Sequence, residues 1–160
     1  TQITGGSATG ISAGTIINTA GTISAPIAAS CTASTGGIRF QASDGSLTGN
    51  ADLLVSVTPN TAPTLTYANA SVSLGAGGSV NPASGPSDNG SILTAVVQST
   101  GTYTGGITVN NITGVVTLTN AAPAGTHTIN IQTADNCFVI VNASFQLTVQ
   151  SSNLFANGFE

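Results

Sequence analysis

The chain of 160 residues carries six charged side chains, Arg39, Asp44, Asp52, Asp88, Asp135 and Glu160, and has no Lys, Met or Trp. One Arg and no Lys exclude a nucleic-acid footprint, and no apolar run approaches the roughly 18 residues of a membrane helix. At 4% charged, against about a quarter in an ordinary soluble domain, the surface falls to Thr, Ser, Asn and Gly, which do little to keep copies apart.

In chain order, no charged and apolar leader opens the sequence, so Thr1 reads as the mature end of a secreted protein. Residues 1–13, TQITGGSATGISA, are glycine-rich and have room for one strand. From there the pattern is that of β-structure. Runs rich in Val, Ile, Thr and Leu alternate with Gly, Asn, Asp, Ser and Pro, and helix formers are scarce. GIRFQAS (37–43) and NADLLVSV (50–57) read as strands. Further strands are expected near Thr64–Tyr67, Ser71–Leu74, Ile92–Gln98, Ile107–Val109, Val115–Thr119, Thr126–Thr133 and Phe138–Val149. That is about seven strands between Ala62 and Gln150, the number in an immunoglobulin-like sandwich. The fold class is all-β.

The chain also repeats itself. GIRFQASDG (37–45) matches TINIQTADN (128–136) at an offset of 91, and NADLLVSV matches NASFQLTV (142–149) at 92. Upstream, GTIINTAGTI (14–23) matches GITVNNITGVV (106–116) at 92 to 93. Similarity at a fixed spacing marks a repeated module. The plainer reading is chance likeness between Thr/Val-rich strands, but the segments match in the same order. The predicted layout is an incomplete module with an N-terminal arm over 1–57, a complete module over 58–149, and a tail over 150–160.

GITVNNITGVVTLTNAAPAGTHTINIQTADN (106–136) resembles the immunoglobulin-like and cadherin-like repeat modules of bacterial surface adhesins and fibres. The resemblance covers 62–149 well and 14–57 in part. It implies a β-sandwich and a cell-surface setting, and it brings no catalytic residues. The closing NLFANGFE is similar to short tails on secreted proteins of some Gram-negative bacteria.

The first module has no sequence to match the strands between Ala62 and Thr104. A sandwich short of strands carries open backbone edges and an uncovered apolar groove, and both favour an added strand. By position, the tail is where the first strand of a next module begins. The expectation is that Leu154, Phe155 and Phe159 of one copy anchor in the first module of the next, against Ile16, Ile17 and Phe40. Contacts of that kind that do not close on themselves build filaments. The partner is then the chain itself, in an extracellular filament serving adhesion to a host or matrix surface or a biofilm scaffold. The alternatives are a monomeric adhesin module that binds a glycan or protein, and an accessory domain of a secreted hydrolase.

An even number of cysteines in a chain of this character suggests a disulfide between Cys31 and Cys137. An intersubunit bond and two free thiols are the rivals. No catalytic constellation stands out. His127 and Asp135, eight residues apart on one strand, are too distant to act together, and His127 is expected on the β-surface. Cys31 with His127 is a remote nucleophile and base. Asp44-Gly45, Asp88-Asn89-Gly90 and Asp135-Asn136 read as turns before they read as calcium ligands. GAGG (75–78) has no following Lys and is no phosphate loop. No cofactor or metal is expected. Sequons stand at Asn69, Asn89, Asn111 and Asn142.

Overall fold

The computed structural model describes residues 2–5 and 9–151, and every regular element among them is a strand. The chain divides into two compact units, Thr1–Asn60 and Thr61–Glu160.

Unit 1 holds β1 (Gln2–Gly5), β2 (Ile11–Ala13), β3 (Ile17–Thr19), β4 (Thr22–Ser24), β5 (Ile27–Ala29), β6 (Gly36–Ser43) and β7 (Thr48–Val55). β2 to β5 make one long irregular hairpin. Thr19 faces Thr22 at its tip, Gly14 N donates to the Pro26 carbonyl at 2.8 Å midway, and Ile11 faces Ala29 at its base. Its two-residue tip puts Ala20 and Gly21 at φ 48° and 88°, the positive values that a tight hairpin turn of matching twist requires. The second layer is the antiparallel sheet β1-β6-β7. Its β6–β7 turn is held by Asp44, whose Oδ1 accepts from Ser46 N at 2.9 Å and Leu47 N at 2.8 Å.

Unit 2 holds β8 (Thr64–Tyr67), β9 (Ala70–Ser73), β10 (Gly78–Val80), β11 (Pro82–Ser87), β12 (Ile92–Ser99), β13 (Gly106–Val109), β14 (Val116–Thr119), β15 (Gly125–Asp135) and β16 (Ile140–Gln150). One sheet runs β12-β15-β16-β9, with β9 parallel to β16. The other side is built from β10-β14-β13 and the pair β11-β8. β10 and β11 are one bent strand, parted at Asn81, that pairs first with β14 and then with β8. β8 and β9 are likewise one strand that changes sheet. Seven strands result, the first, second, fifth and fourth facing the third, sixth and seventh. That is the immunoglobulin-like β-sandwich.

Alternation builds the core. On β15 and β16, Ile129, Ile131, Ala143, Phe145, Leu147 and Val149 point inward onto Leu65, Val80, Val116 and Leu118. Each large side chain so buried contributes roughly 1.5–3 kcal/mol. The outward positions carry uncharged polar pairs: Thr128 with Gln146 at 3.1 Å, Gln132 with Asn142 at 3.2 Å, Asn130 with Ser99 at 2.6 Å. These cross-strand bonds keep the outer face polar without ionic groups.

The expected strands of unit 2 are present with ends shifted by one or two residues. β10 and β11 are the exception, because Pro82, Gly85 and Pro86 read as a breaker. They are tolerated because the pairing to β8 slips between Pro82 and Ser84 and again between Ser84 and Ser87. Gly85 is obligatory there: at φ 71° a Cβ would stand 2.0 Å from the Thr64 carbonyl oxygen.

Candidate functional site: the open face of unit 1

The two units share strand registers. Arg39 on β6 faces Asp52 on β7; 91 and 92 residues on, Asn130 on β15 faces Ser144 on β16. Ile17 faces Ser24 in the unit 1 hairpin; 92 residues on, Val109 faces Val116. β1 lies on β6 as β12 lies on β15, down to the irregularity. Gly5 sits opposite Arg39 after a slip from Ile3, and Ser99 sits opposite Asn130 after a slip from Val97. Among the described residues of unit 1 nothing corresponds to β8, β9, β10 or β11.

The consequence is an uncovered inner face. Ile38, Phe40, Ala51 and Leu53 stand where unit 2 has Ile129, Ile131, Ala143 and Phe145. In unit 2 all four are buried, Phe145 to 2% exposure; in unit 1 only Ile38 is buried, and Leu53 is 42% exposed. Across from Leu53, Ile23 and Ile27 of the hairpin are also exposed. Between them lies an open groove of about 510 Å³ lined by Ile23, Ser24, Ala25, Ile27, Phe40, Ala51, Asp52 and Leu53. Its lining is mostly aliphatic, so water in it is easily displaced by apolar side chains. Asp52 is the one charge on the lining. Arg39 holds it through Nε to Oδ1 and Nη2 to Oδ2, both 2.7 Å, which keeps the carboxyl below its usual range and raises Arg39.

Of the residues expected to accept a strand, Phe40 lines this groove. Ile16 is half-buried and Ile17 exposed on the hairpin, and neither lines it. Leu154, Phe155 and Phe159 lie outside the described residues. Sequence reasoning missed Ile23, Ile27 and Leu53. The repeat offset carried the signal for Leu53, since it sets that residue against the core Phe145.

The reactive side chains are otherwise engaged. Both cysteines are disulfide-bonded. That removes Cys31 as a nucleophile. His127, expected at the surface, is buried: on β15 it shares the inward face with Ile129 and Ile131. Nε2–H donates to the Pro123 carbonyl at 2.8 Å, so Nδ1 accepts from the Thr102 hydroxyl at 2.8 Å. Asp135 is fully buried and its Oδ1 accepts from Cys137 N and Val139 N, shaping the β15–β16 turn. Asp88 Oδ2 accepts from Gly90 N. Among the described residues no three His, Cys, Asp or Glu gather as metal ligands, and no helix is long and apolar enough to cross a membrane.

No family model and no curated protein matches the chain. Solved structures similar to it include protocadherin gamma B2 extracellular cadherin domains 3–6, at 21% identity and TM-score 0.46, covering 72% of this chain and 32% of that one. The fibronectin(III)-like modules of Clostridium thermocellum CbhA follow at 15% and 0.42, covering 79% and 66%. Domains 4 and 5 of the S-layer protein SbsC stand at 18% and 0.39, covering 84% and 66%. The chain thus spans about a third of the protocadherin structure it matches. The β-sandwich assignment rests on the strand order alone.

Proposed function

We propose that this chain is a structural subunit of an extracellular filament that polymerises head to tail by β-strand complementation, for adhesion or as a biofilm scaffold. Unit 2 is its complete immunoglobulin-like module. Unit 1 is a second copy of that module without its first two strands, finished by a strand from a neighbouring copy.

One observation carries the reading. Leu53 and Phe145 hold the same register position, and one is 42% exposed while the other is 2% exposed. An apolar inner face left open costs free energy that a strand laid across it recovers, with backbone hydrogen bonds at the open sheet edges adding to the gain. The weakly charged surface leaves little repulsion between copies. The disulfide supports an oxidising, extracellular setting. The engaged cysteines, histidine and aspartates support a role without catalysis.

Electron microscopy and sedimentation of the undenatured protein test the proposal. Filaments, or a ladder of oligomers growing with concentration, are the expected result. Discrete monomers across the accessible concentration range would overturn it in favour of a single adhesin module.

A further inference from the structure

Resting on that reading, we infer that the groove of unit 1 is filled by residues 152–160 of a second copy, with Phe155 and Phe159 as the inserted side chains and Leu154 turned outward. The alignment that sets β7 on β16 runs without a gap from Thr48 on Ile140 to Val57 on Val149. Continued at the same offset of 92, it sets Ala62 against Leu154, Pro63 against Phe155, Leu65 against Asn157 and Tyr67 against Phe159.

The structure gives the direction of each of those places in unit 2. Pro63 and Leu65 are buried, and Tyr67 is half-buried with its ring 5.2 Å from that of Phe145; Ala62 is exposed. The inward places of this strand thus fall on two of the five phenylalanines in the chain, and an outward one falls on Leu154. The residue of unit 1 in the place of Phe145 is Leu53, on the groove wall. Phe159 therefore covers Leu53 as Tyr67 covers Phe145. An offset one residue shorter brings Leu154, Ala156 and Gly158 inward instead, a far poorer filling.

Asn157 departs from the pattern, since Leu65 is a core residue. Leu65 lies by Gly114, where Pro82 and Pro86 of β11 also converge. Unit 1 has no counterpart of β11 among its described residues, so a polar side chain at that place is not forced into an apolar contact.

The test uses the full chain. Phe155→Ala and Phe159→Ala should each raise the concentration needed for assembly at least about tenfold, and Leu154→Ala should leave it within about twofold. A photo-cross-linking residue in place of Leu53, in a mixture of isotopically labelled and unlabelled chains, should couple to residues 155–159 of the other copy. A synthetic peptide of residues 152–160 should shorten filaments, and its F159A form should not. Assembly that persists in both Phe variants, or cross-links confined to one copy, would overturn this inference while leaving polymerisation standing. A wild-type chain that never assembles would instead sink the reading beneath it.

Discussion

Ile131 and Phe40 occupy one register position in two units built on the same hairpin pairings, yet Ile131 is sealed and Phe40 half-open. The two units do not differ in the quality of their inner faces. Ile38, Phe40, Leu53 and Val55 are as apolar as the residues that fill the core of unit 2. What differs is the cover. β8 and β10 bring Leu65, Tyr67 and Val80 over the inner face of unit 2, and unit 1 has no such strands among its described residues. A strand face becomes core through what lies across it, and the same alternation leaves an exposed apolar face when nothing does.

The largest break of this comparison is removal of the disulfide. A bond between Cys31 and Cys137, the pairing the sequence suggests, closes a loop of about 100 residues, worth about 4–5 kcal/mol in the chain-entropy model. Cys31→Ser with Cys137→Ser should lower overall stability on that scale in urea unfolding. By amide exchange the loss should fall first on unit 1, whose inner face is open, while β15 and β16 keep their protection. Equal loss in both units would contradict the contrast drawn here.

Truncation of matched residues comes next. Phe145→Ala should cost about 3–5 kcal/mol, because it empties a filled core. Leu53→Ala at the same register position, measured on dilute unassembled chain, should cost under about 1 kcal/mol. Similar costs would mean that unit 1 is already covered. Smaller than the Phe145 loss is that of Tyr67→Phe. The Tyr67 hydroxyl donates to the carbonyl of the buried Gly114, and its loss should cost about 1–2 kcal/mol by denaturant midpoint.

Tyr67 also sharpens the comparison through pH. Burial pushes its hydroxyl up to about 12. A raised acid favours the protonated form in the folded state, so its contribution is complete below the unfolded value near 10 and is lost as pH rises through about 12. Phenolate absorbance should show this late titration, and Tyr67→Phe should remove it. At the acid end the exposed carboxylates of unit 1 act weakly. Hydrogen bonds from Leu47 N and Ser46 N hold Asp44 below its usual range, and Arg39 does the same for Asp52. Their contribution is present above the unfolded carboxylate value near 4 and is lost as pH falls through the lower folded values. Arg39→Gln should therefore shift the acid midpoint of unit 1 slightly and that of unit 2 not at all.

Much of the fold was legible because β-structure writes itself at period two. The alternation in TINIQT and NASFQLTV separates the inward from the outward residues of β15 and β16. The turn aspartates were legible too, since Asp44 and Asp135 bond backbone N–H groups two to four residues on. β10 and β11 were not, because Pro82, Gly85 and Pro86 obey a local rule that two register slips overrule. His127 was misplaced at the surface for a related reason. Its polarity suggested solvent, but Thr102 and the Pro123 carbonyl, distant or on a loop, meet both ring nitrogens.

The sequence by itself determined the strand class, the repeat spacing and which residues of each strand share a face, because these depend on local geometry and composition. It also set the low charge that leaves the surface to cross-strand amide and hydroxyl pairs. Only the tertiary structure decided which of two equivalent faces is covered. Burial is a property of what packs opposite, and no residue of β6 or β7 records whether another strand lies across it.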